Sequence, residues 1–243
     1  MIRANRAVTM GLSCAVFFVG GVAGRFVWAQ TAPATAPDAT EPAASRPGAL
    51  AGQKVDLTKW LITKNGCDVD QDGEKIHIAG TNSTDGWANH NAVTTRGTYP
   101  LQDFEVSTDF QVSKLQGSGK ATVILRAQEA DLSQVTLQYY AEGHCYVVRW
   151  WTNHGEAFAQ TQLKEFGDEA TKVHHMLLRY DATTHDATGY VDDKKVGTVN
   201  FEFKGDLQFV MGVSTDKKGY AMDVTFDHPA AVLTKAPADA ELP

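Results

Sequence analysis

One segment of the chain contains two carboxyl groups, which can act as a general acid and a general base. Glu105 and Asp109 fall on the same face of a predicted strand over residues 104–112, because alternate residues of a strand point to the same side. Glycoside hydrolysis uses a carboxylate pair, about 5 Å apart in retaining enzymes and about 6.5–9.5 Å apart in inverting ones. Four residue steps along a strand separate these two by about 13 Å, so they cannot form that pair alone. An ion pair with a basic residue of a neighbouring strand, such as Arg126, is the simpler interpretation.

A second acidic group has part of the pattern of a calcium loop. Asp68, Asp70 and Asp72 place oxygens at alternate positions before a glycine, but the closing Glu is missing because Ala79 takes its place. Residues 75–78 alternate like a strand, which makes an acidic turn before a strand the simpler interpretation. We therefore expect no cofactor and keep the three aspartates as weak candidates for calcium.

The histidines and an Asn- and Gly-rich segment supply further candidates. Adjacent strand residues point to opposite faces, so His174 and His175 cannot chelate one ion together, and we expect one packed and one exposed histidine. Trp87, His90 and Asn91 lie in a predicted loop, where exposed aromatic and histidine side chains are candidates for ligand contact. No Ser-His-Asp order, phosphate loop or CxxC motif is present.

A basic and apolar leader precedes the predicted strands on which these side chains lie. Arg3 and Arg6 precede an uncharged apolar run over residues 7–24, and the small-residue pattern that ends at Ala29 fits a signal-peptidase site. We predict that residues 1–29 are a signal peptide and that the protein is exported to the periplasm or the cell exterior. An uncleaved signal anchor is the alternative, because residues 7–24 are near the ~18-residue length that can span a bilayer. Membrane contact would then be made through this segment alone.

Charge and cysteine content limit the partners and the covalent links. The formal net charge is −7 and becomes −10 when the three arginines of the leader are removed, so we expect no binding to nucleic acid. Export would place Cys67 and Cys145 in an oxidising space, where a disulfide is one outcome. Two separately buried thiols are the other, because free cysteine packs as a small apolar residue.

A single β domain is predicted after a linker. Residues 30–53 are rich in Ala, Pro and Thr and have almost no large apolar side chains, which is typical of a disordered linker. Residues 54–233 alternate apolar and polar side chains in short runs, and residues 234–243 form a tail. Many strands, short turns and no sustained helical period predict a sandwich or a barrel. Besides 104–112, the runs cover residues 121–126, 135–140, 144–152, 158–166, 173–180, 188–191, 195–203, 207–213 and 221–226.

Two segments carry a resemblance to a known superfamily. Residues 172–181 (KVHHMLLRYD), followed by 188–193 (TGYVDD) and 196–198 (VGT), resemble the signature of LamG and other concanavalin A-like domains. The resemblance implies an all-β fold, an antiparallel jelly-roll β-sandwich of the concanavalin A-like type. Val173 replaces the usual Trp of that signature. Asp193 replaces the usual turn Gly, which predicts a positive φ at an Asp.

A second resemblance concerns one branch of that superfamily. Residues 92–99 (AVTTRGTY), 103–106 (DFEV) and 124–126 (ILR) are similar to the 3-keto-disaccharide hydrolase-like domains. Residues 117–120 (GSGK) stand where that branch often has Asn-Ser-Gly. The combined resemblance covers residues 55–232.

The resemblance implies where a ligand would bind. In jelly-roll lectins and glucanases the sugar lies across the concave sheet, where aromatic rings stack on sugar faces and polar groups bind hydroxyls. Residues 146–154 end in a polar turn that adds His154, and Trp87 is added from the predicted loop. The alternative is that half of the candidates lie on the convex face and are only solvated; either Trp150 or Trp151 is expected to pack. Period-two phasing of strand residues gives the candidates Glu105, Asp109, Gln111, Arg126, Gln138, Tyr140, Arg149, Trp151, His175 and Arg179.

Three functions are compatible with this sequence. The first is an exported, lectin-like domain that binds a polysaccharide or glycoside on its concave sheet. The second is a glycoside hydrolase of the 3-keto-disaccharide hydrolase-like type, which predicts an acid and a base within about 10 Å of each other. The third is a structural or adhesion module, which predicts a large exposed apolar patch.

Overall fold

The computed structural model describes residues 52–234 except 56, 58, 86–89, 118–119, 144 and 163–170. This part of the chain forms fifteen β-strands and no α-helix, and it therefore contains no helix that could cross a membrane. The predicted signal peptide lies outside the described residues, as do nearly all of the predicted linker and all of the predicted tail after Thr234.

The strands follow one another with short connections. They are β1 (Gln53–Lys54), β2 (Trp60–Thr63), β3 (Cys67–Asp72), β4 (Lys75–Thr81), β5 (His90–Thr95), β6 (Phe104–Leu115), β7 (Thr122–Gln128), β8 (Gln134–Tyr140), β9 (Cys145–Thr152), β10 (Gly155–Gln162), β11 (His174–Asp181), β12 (Asp186–Val191), β13 (Lys194–Asn200), β14 (Gln208–Ser214) and β15 (Ala221–Leu233). The predicted strands are confirmed over the described residues, with shifts of a few residues at their ends; residues 144 and 163–166 of the predicted runs lie outside the described residues.

The strands form two antiparallel sheets that pack face to face. Sheet A has eight strands in the order β13-β12-β11-β6-β15-β4-β3, with β1 also paired to β15. Sheet B has seven strands in the order β10-β9-β8-β7-β14-β5-β2. β13 lies against β9 and β10, β6 against β7, and β3 against β5, so the two sheets are stacked in the same order. This is the antiparallel jelly-roll sandwich of the concanavalin A-like type.

Alternation along the strands separates core from surface. In β6, Phe104, Val106 and Phe110 are buried between the sheets, while Ser107 is half-buried and Gln111 exposed on the outer side. The aromatic residues of the core stack on one another, for example Phe104 on Tyr180 with ring centroids 5.3 Å apart. The face assignment predicted for residues 104–112 is confirmed.

The β12–β13 hairpin has the left-handed turn that the sequence predicts. Asp192 and Asp193 have φ values of 49° and 64°. The Asp192 carboxylate also lies 2.7 Å from Nδ1 of His174 and accepts a bond of 2.9 Å from the backbone N–H of His175. His174 is buried and His175 is half-buried on the outer side, so the prediction of opposite faces is confirmed.

The two tryptophans of β9 divide between core and surface. Trp150 packs on Phe201 with ring centroids 5.5 Å apart, and this pair borders the core. Trp151 faces away from the core, on the outer side of sheet B. The expectation that one of them packs is confirmed.

Both described cysteines are free thiols. Cys67 faces the core from β3, the edge strand at one end of sheet A, whereas Cys145 points outward from β9 near the other end of sheet B. The pair therefore cannot form a disulfide in this fold. Burial and the neighbouring Asp68 raise the pKa of the Cys67 thiol to about 11, and burial raises that of Cys145.

The aspartates considered for calcium lie in a strand. Asp68, Asp70 and Asp72 occupy alternate positions of β3 and point outward, so the interpretation of this segment as a turn was wrong. The turn follows at Gly73, where φ is 61°. Strand pairing with β4 holds the three carboxylates along an extended line, with Asp68 3.6 Å from Nζ of Lys64.

Candidate functional site

The outer face of sheet B contains a groove of about 390 Å³. Small side chains of β5 and β14, such as Ala92 and Ser214, form its floor. Gly212 of β14, which is paired with Ala92, has no side chain. Larger side chains of β7, β8 and β9 rise beside them. The described lining consists of Thr63, His90, Ala92, Thr94, Thr122, Ile124, Arg126, Gln128, Leu132, Gln134, Gln138, Tyr140, Arg149, Trp151, Val210 and Ser214.

Strand pairing aligns the functional side chains across the groove. Arg126 of β7 is paired with Thr136 of β8, and Thr136 is paired in turn with Arg149 of β9. Paired residues of neighbouring strands point to the same face, so the two arginines project from the same side of sheet B. Trp151 follows Arg149 by two residues and faces the same way.

Arg126 and His90 form a buried polar contact at one side of the groove. Arg126 is 8% exposed, and it donates a bond of 3.1 Å from Nη1 to Oε1 of Gln128. Its Nη2 lies 3.3 Å from Nε2 of His90. Because a guanidinium group can only donate, Nε2 of His90 accepts, and the ring proton of neutral His90 is on Nδ1. Burial, Arg126 and Arg149 lower the pKa of His90 to about 3, which keeps the ring neutral at pH 7.

Arg149 is the second cation of the groove. Its side chain is 12% exposed, and its Nη1 lies 3.6 Å from Oε2 of Glu156, whose side chain is 51% exposed. Tyr140 lies beside it, and burial raises the pKa of the Tyr140 hydroxyl while a hydrogen bond with Arg149 acts in the opposite direction. Burial and the charge of Arg149 lower the pKa of Arg126 to about 10, so the Arg126 guanidinium group is still charged at pH 7.

Some buried polar atoms of this face have no hydrogen-bond partner among the described residues. They include Nδ1 of His90, Nε of Arg126 and Oε1 of Gln138. Gln138 is 5% exposed, so its amide oxygen is nearly removed from solvent. A buried polar atom without a partner is costly, and a ligand with hydroxyl or anionic groups would supply partners here.

Five of the candidate residues from the sequence come together in this groove, namely Arg126, Gln138, Tyr140, Arg149 and Trp151. Each lies on the outer face of β7, β8 or β9. They form a continuous surface of two aromatic rings, two guanidinium groups and one amide.

The other sheet carries the two carboxylates. Glu105 accepts a bond of 2.7 Å from Nε of Arg179 on the outer face of sheet A. Asp109 lies 2.7 Å from Nδ1 of His175 and 3.3 Å from Nδ1 of His228. The simpler interpretation of an ion pair between neighbouring strands is confirmed for Glu105, but the partner is Arg179 of β11 and not Arg126.

The remaining candidates lie away from the groove or outside the residues that the structure describes. Gln111, His175 and Arg179 belong to the outer face of sheet A. His154 is exposed in the β9–β10 turn and lines a separate hollow with Thr152 and residues of the 129–133 and 201–206 segments. Trp87 lies outside the described residues.

The placement of His90 and Asn91 in a loop was wrong. Both residues belong to strand β5, and Asn91 is fully buried. Its side-chain oxygen accepts bonds from the backbone N–H groups of Asn65 (2.6 Å) and Cys67 (3.2 Å), so Asn91 supports the β2–β3 connection. His90 faces the groove because it is paired with Ser214 of β14.

Two amides and one aromatic residue of this face were not among the residues predicted from the sequence. Gln128 follows Arg126 by two positions, and Gln134 precedes Gln138 by four, so period-two phasing would have included both. Phe158 is paired with Arg149 and is 50% exposed on the same face. Phe158 is the first residue of the predicted run 158–166, and the sequence does not show which strand pairs with that run.

The described residues contain no group of three or more His, Cys, Asp and Glu side chains placed to hold a metal ion.

The fold is the jelly-roll sandwich that solved carbohydrate-binding modules, glycoside hydrolases and lyases also have. The carbohydrate-binding module CBM66 from Bacillus subtilis superposes with a TM-score of 0.52 at 14% identity over 73% of this chain and 97% of its own. A GlcNAcα1-4Gal-releasing endo-β-galactosidase from Clostridium perfringens superposes at 0.58 with 10% identity, over 82% and 66% of the two chains. An alginate lyase of polysaccharide lyase family 7 superposes at 0.54 with 11% identity, over 73% and 95%.

These likenesses are of fold, since the identities are low. No family model and no curated protein matches the sequence.

Proposed function

We propose that the protein binds a carbohydrate in the groove of sheet B. The observation that carries this proposal is the combination of Trp151 and Tyr140 with buried amide and guanidinium groups on one face. Aromatic rings offer flat apolar surfaces to sugar rings, and the polar groups match sugar hydroxyls. The class of the structural neighbours supports the same proposal.

The groove is a better lectin site than a hydrolase site. Hydrolysis by two carboxylates needs an acid and a base near the sugar, and the described lining contains no Asp or Glu. Glu105 and Asp109 lie in the other sheet and are held by basic partners. Binding without cleavage is therefore the function that this geometry supports best.

The exposed apolar residues do not favour an adhesion module. Leu61 and Ile62 lie in edge strand β2, Phe158 in edge strand β10, and Leu132 and Val173 in connections. Leu132 lines the groove and Phe158 lies on the same face of sheet B, but β2 and β10 are the opposite edges of that sheet, so the described exposed apolar residues do not form one patch. A protein-binding patch would bring such residues together.

Export remains part of the proposal. The leader over residues 1–29 supports it, and residues 7–24 are the segment that would anchor the chain if cleavage did not occur. Fractionation of cells that produce the protein, with the N-terminus of the recovered chain determined by mass spectrometry, tests both points. An N-terminus at Gln30 is expected, and recovery of an intact chain from the cytoplasm would contradict the proposal.

A glycan screen of the full-length chain tests the function. We expect binding to at least one polysaccharide or oligosaccharide, and we expect Trp151→Ala to lower the affinity by at least about tenfold. Tyr190→Ala is the matched control, since Tyr190 is a half-buried aromatic residue on the outer face of sheet A. Equal losses in both variants, or no binding to any glycan, would contradict the proposal. Release of reducing sugar from a bound glycan would show an enzyme.

A further inference from the structure

The groove carries charge of one sign, opposite to that of the protein. The chain has 29 acidic and 22 basic residues, yet the described residues that line the groove include two arginines, one histidine and no Asp or Glu. Arg126 and Arg149 therefore give the groove lining a positive potential on an acidic protein, with Glu156 beside Arg149 at the rim. A neutral sugar does not require that potential, because amides and hydroxyls suffice to bind its hydroxyl groups.

Arg126 is a buried cation without a carboxylate partner among the described residues. Its guanidinium group contacts two neutral groups, the amide of Gln128 and the ring of His90. Burying a charge without a counter-ion is unfavourable, and burial and the second arginine lower the pKa of Arg126 to about 10. A bound anion would supply the missing counter-charge.

Arg149 has a counter-ion that a ligand could displace. Glu156 lies 3.6 Å away at the rim of the groove and is half exposed. Ion pairs with such exposed carboxylates contribute little free energy. An anionic ligand could therefore replace Glu156 at Arg149 without a large loss.

His90 completes the set of donors. Its Nε2 faces the Arg126 guanidinium, so the Nδ1 proton is available, and Nδ1 is buried with no partner among the described residues. A neutral N–H group of this kind donates to an anion without adding charge of its own.

From these contacts we propose that the ligand is an acidic glycan, whose carboxylate or sulfate groups bind between Arg126 and Arg149. The inference rests on the proposed function and names its ligand class. Guanidinium groups bind carboxylates and sulfates through paired N–H bonds, which are stronger than bonds between neutral groups. The sugar ring stacks on Trp151 and Tyr140, and Oε1 of Gln138 accepts a hydrogen bond from a sugar hydroxyl group.

Matched pairs of oligosaccharides test the charge requirement on the unaltered full-length chain. The probes are oligogalacturonate, an oligomer of mannuronate and guluronate, and a sulfated galactan oligosaccharide, each beside its carboxyl-reduced or desulfated form. Calorimetric titration is expected to show at least about tenfold tighter binding of one acidic form than of its neutral partner. Comparison of the uronates with the sulfated galactan shows which anionic group is used. The affinity should fall as NaCl is raised, because salt screens the interaction.

Substitutions locate the charge requirement in the groove. Arg126→Gln and Arg149→Gln are expected to reduce binding of the acidic form by about tenfold or more and binding of the neutral form much less. Lys195→Gln is the control, because it removes one exposed positive charge from sheet A. Circular dichroism of each variant shows whether the fold is retained.

A gain of affinity gives a test that misfolding cannot imitate. Glu156→Gln removes the competing carboxylate beside Arg149 and is expected to tighten binding of the acidic form by about two- to fivefold. The neutral form should be unaffected.

The outcomes separate this inference from the proposed function. Equal affinity for acidic and neutral forms, or acidic binding that survives both arginine substitutions in folded variants, would overturn the acidic ligand and leave carbohydrate binding in place. An absence of binding to every probe and to the glycan screen would overturn both.

Discussion

The pH dependence of stability should report directly on the buried histidine of the groove. The pKa of His90 is lowered from 6.5 to about 3 by burial, Arg126 and Arg149. The folded-state pKa is thus below the unfolded-state value, so the unfolded chain binds more protons between about pH 6.5 and pH 3. Stability is then highest above pH 6.5, falls as the pH is lowered through this window, and levels off below pH 3 with respect to this group.

The magnitude follows from the two pKa values. One pKa unit corresponds to about 1.4 kcal/mol, and between pH 7 and pH 5 the contribution of His90 to the free energy of unfolding should fall by about 2 kcal/mol. In His90→Gln this contribution is absent. The wild type should therefore lose about 2 kcal/mol more than the variant over the same pH change.

Urea unfolding followed by tryptophan fluorescence, at pH 7 and pH 5 and at constant ionic strength, measures this difference. The comparison uses the change with pH in each protein, so a general effect of the substitution on stability cancels. His154→Gln serves as a control for the loss of one histidine, because His154 is exposed in a turn outside the groove. Losses that agree within about 0.5 kcal/mol between the wild type and His90→Gln would refute the reasoning.

Three further predictions concern the scaffold. Gly189→Ala should lower the free energy of unfolding by about 1–3 kcal/mol in urea titrations, because the added methyl group would meet the Val148 side chain of the facing sheet; an unchanged stability would contradict this close packing. Asp193→Gly should raise the same free energy by up to about 1 kcal/mol, since glycine adopts positive φ without strain, and a loss would show that the Asp side chain is needed. Cys67 and Cys145 should resist a thiol reagent in the folded protein and both react in urea, because burial raises the pKa of each thiol; fast labelling of either would contradict their burial.

Candidate residues with the same pattern in the sequence have different contacts in the structure. Glu105 and Arg126 are both polar residues at outward positions of alternating strands. One lies in sheet A and forms an ion pair, and the other lies in sheet B and faces the groove. Alternation reveals only whether a side chain points toward or away from the core, and both sheets have an outward face.

Sheet membership depends on pairing between distant segments. β7 lies next to β14 in sheet B, whereas β6, which precedes it in the chain, lies between β11 and β15 in sheet A. The chain therefore passes from one sheet to the other between two strands of similar pattern. No residue type in the connection between β6 and β7 indicates that the chain passes from one sheet to the other.

Local periodicity in the sequence predicts an all-β sandwich or barrel, most strand positions and the faces of β6, because alternation depends on neighbouring residues alone. The resemblance to concanavalin A-like domains implied the jelly roll and the left-handed turn at Asp193. The separation of the two cysteines, the buried supporting role of Asn91 and the contact of His90 with Arg126 in the groove are visible in the three-dimensional structure alone. Those facts arise from which strands pair and how the two sheets stack. The groove combines side chains from strands separated by many residues, and its charge emerges only when those strands lie side by side.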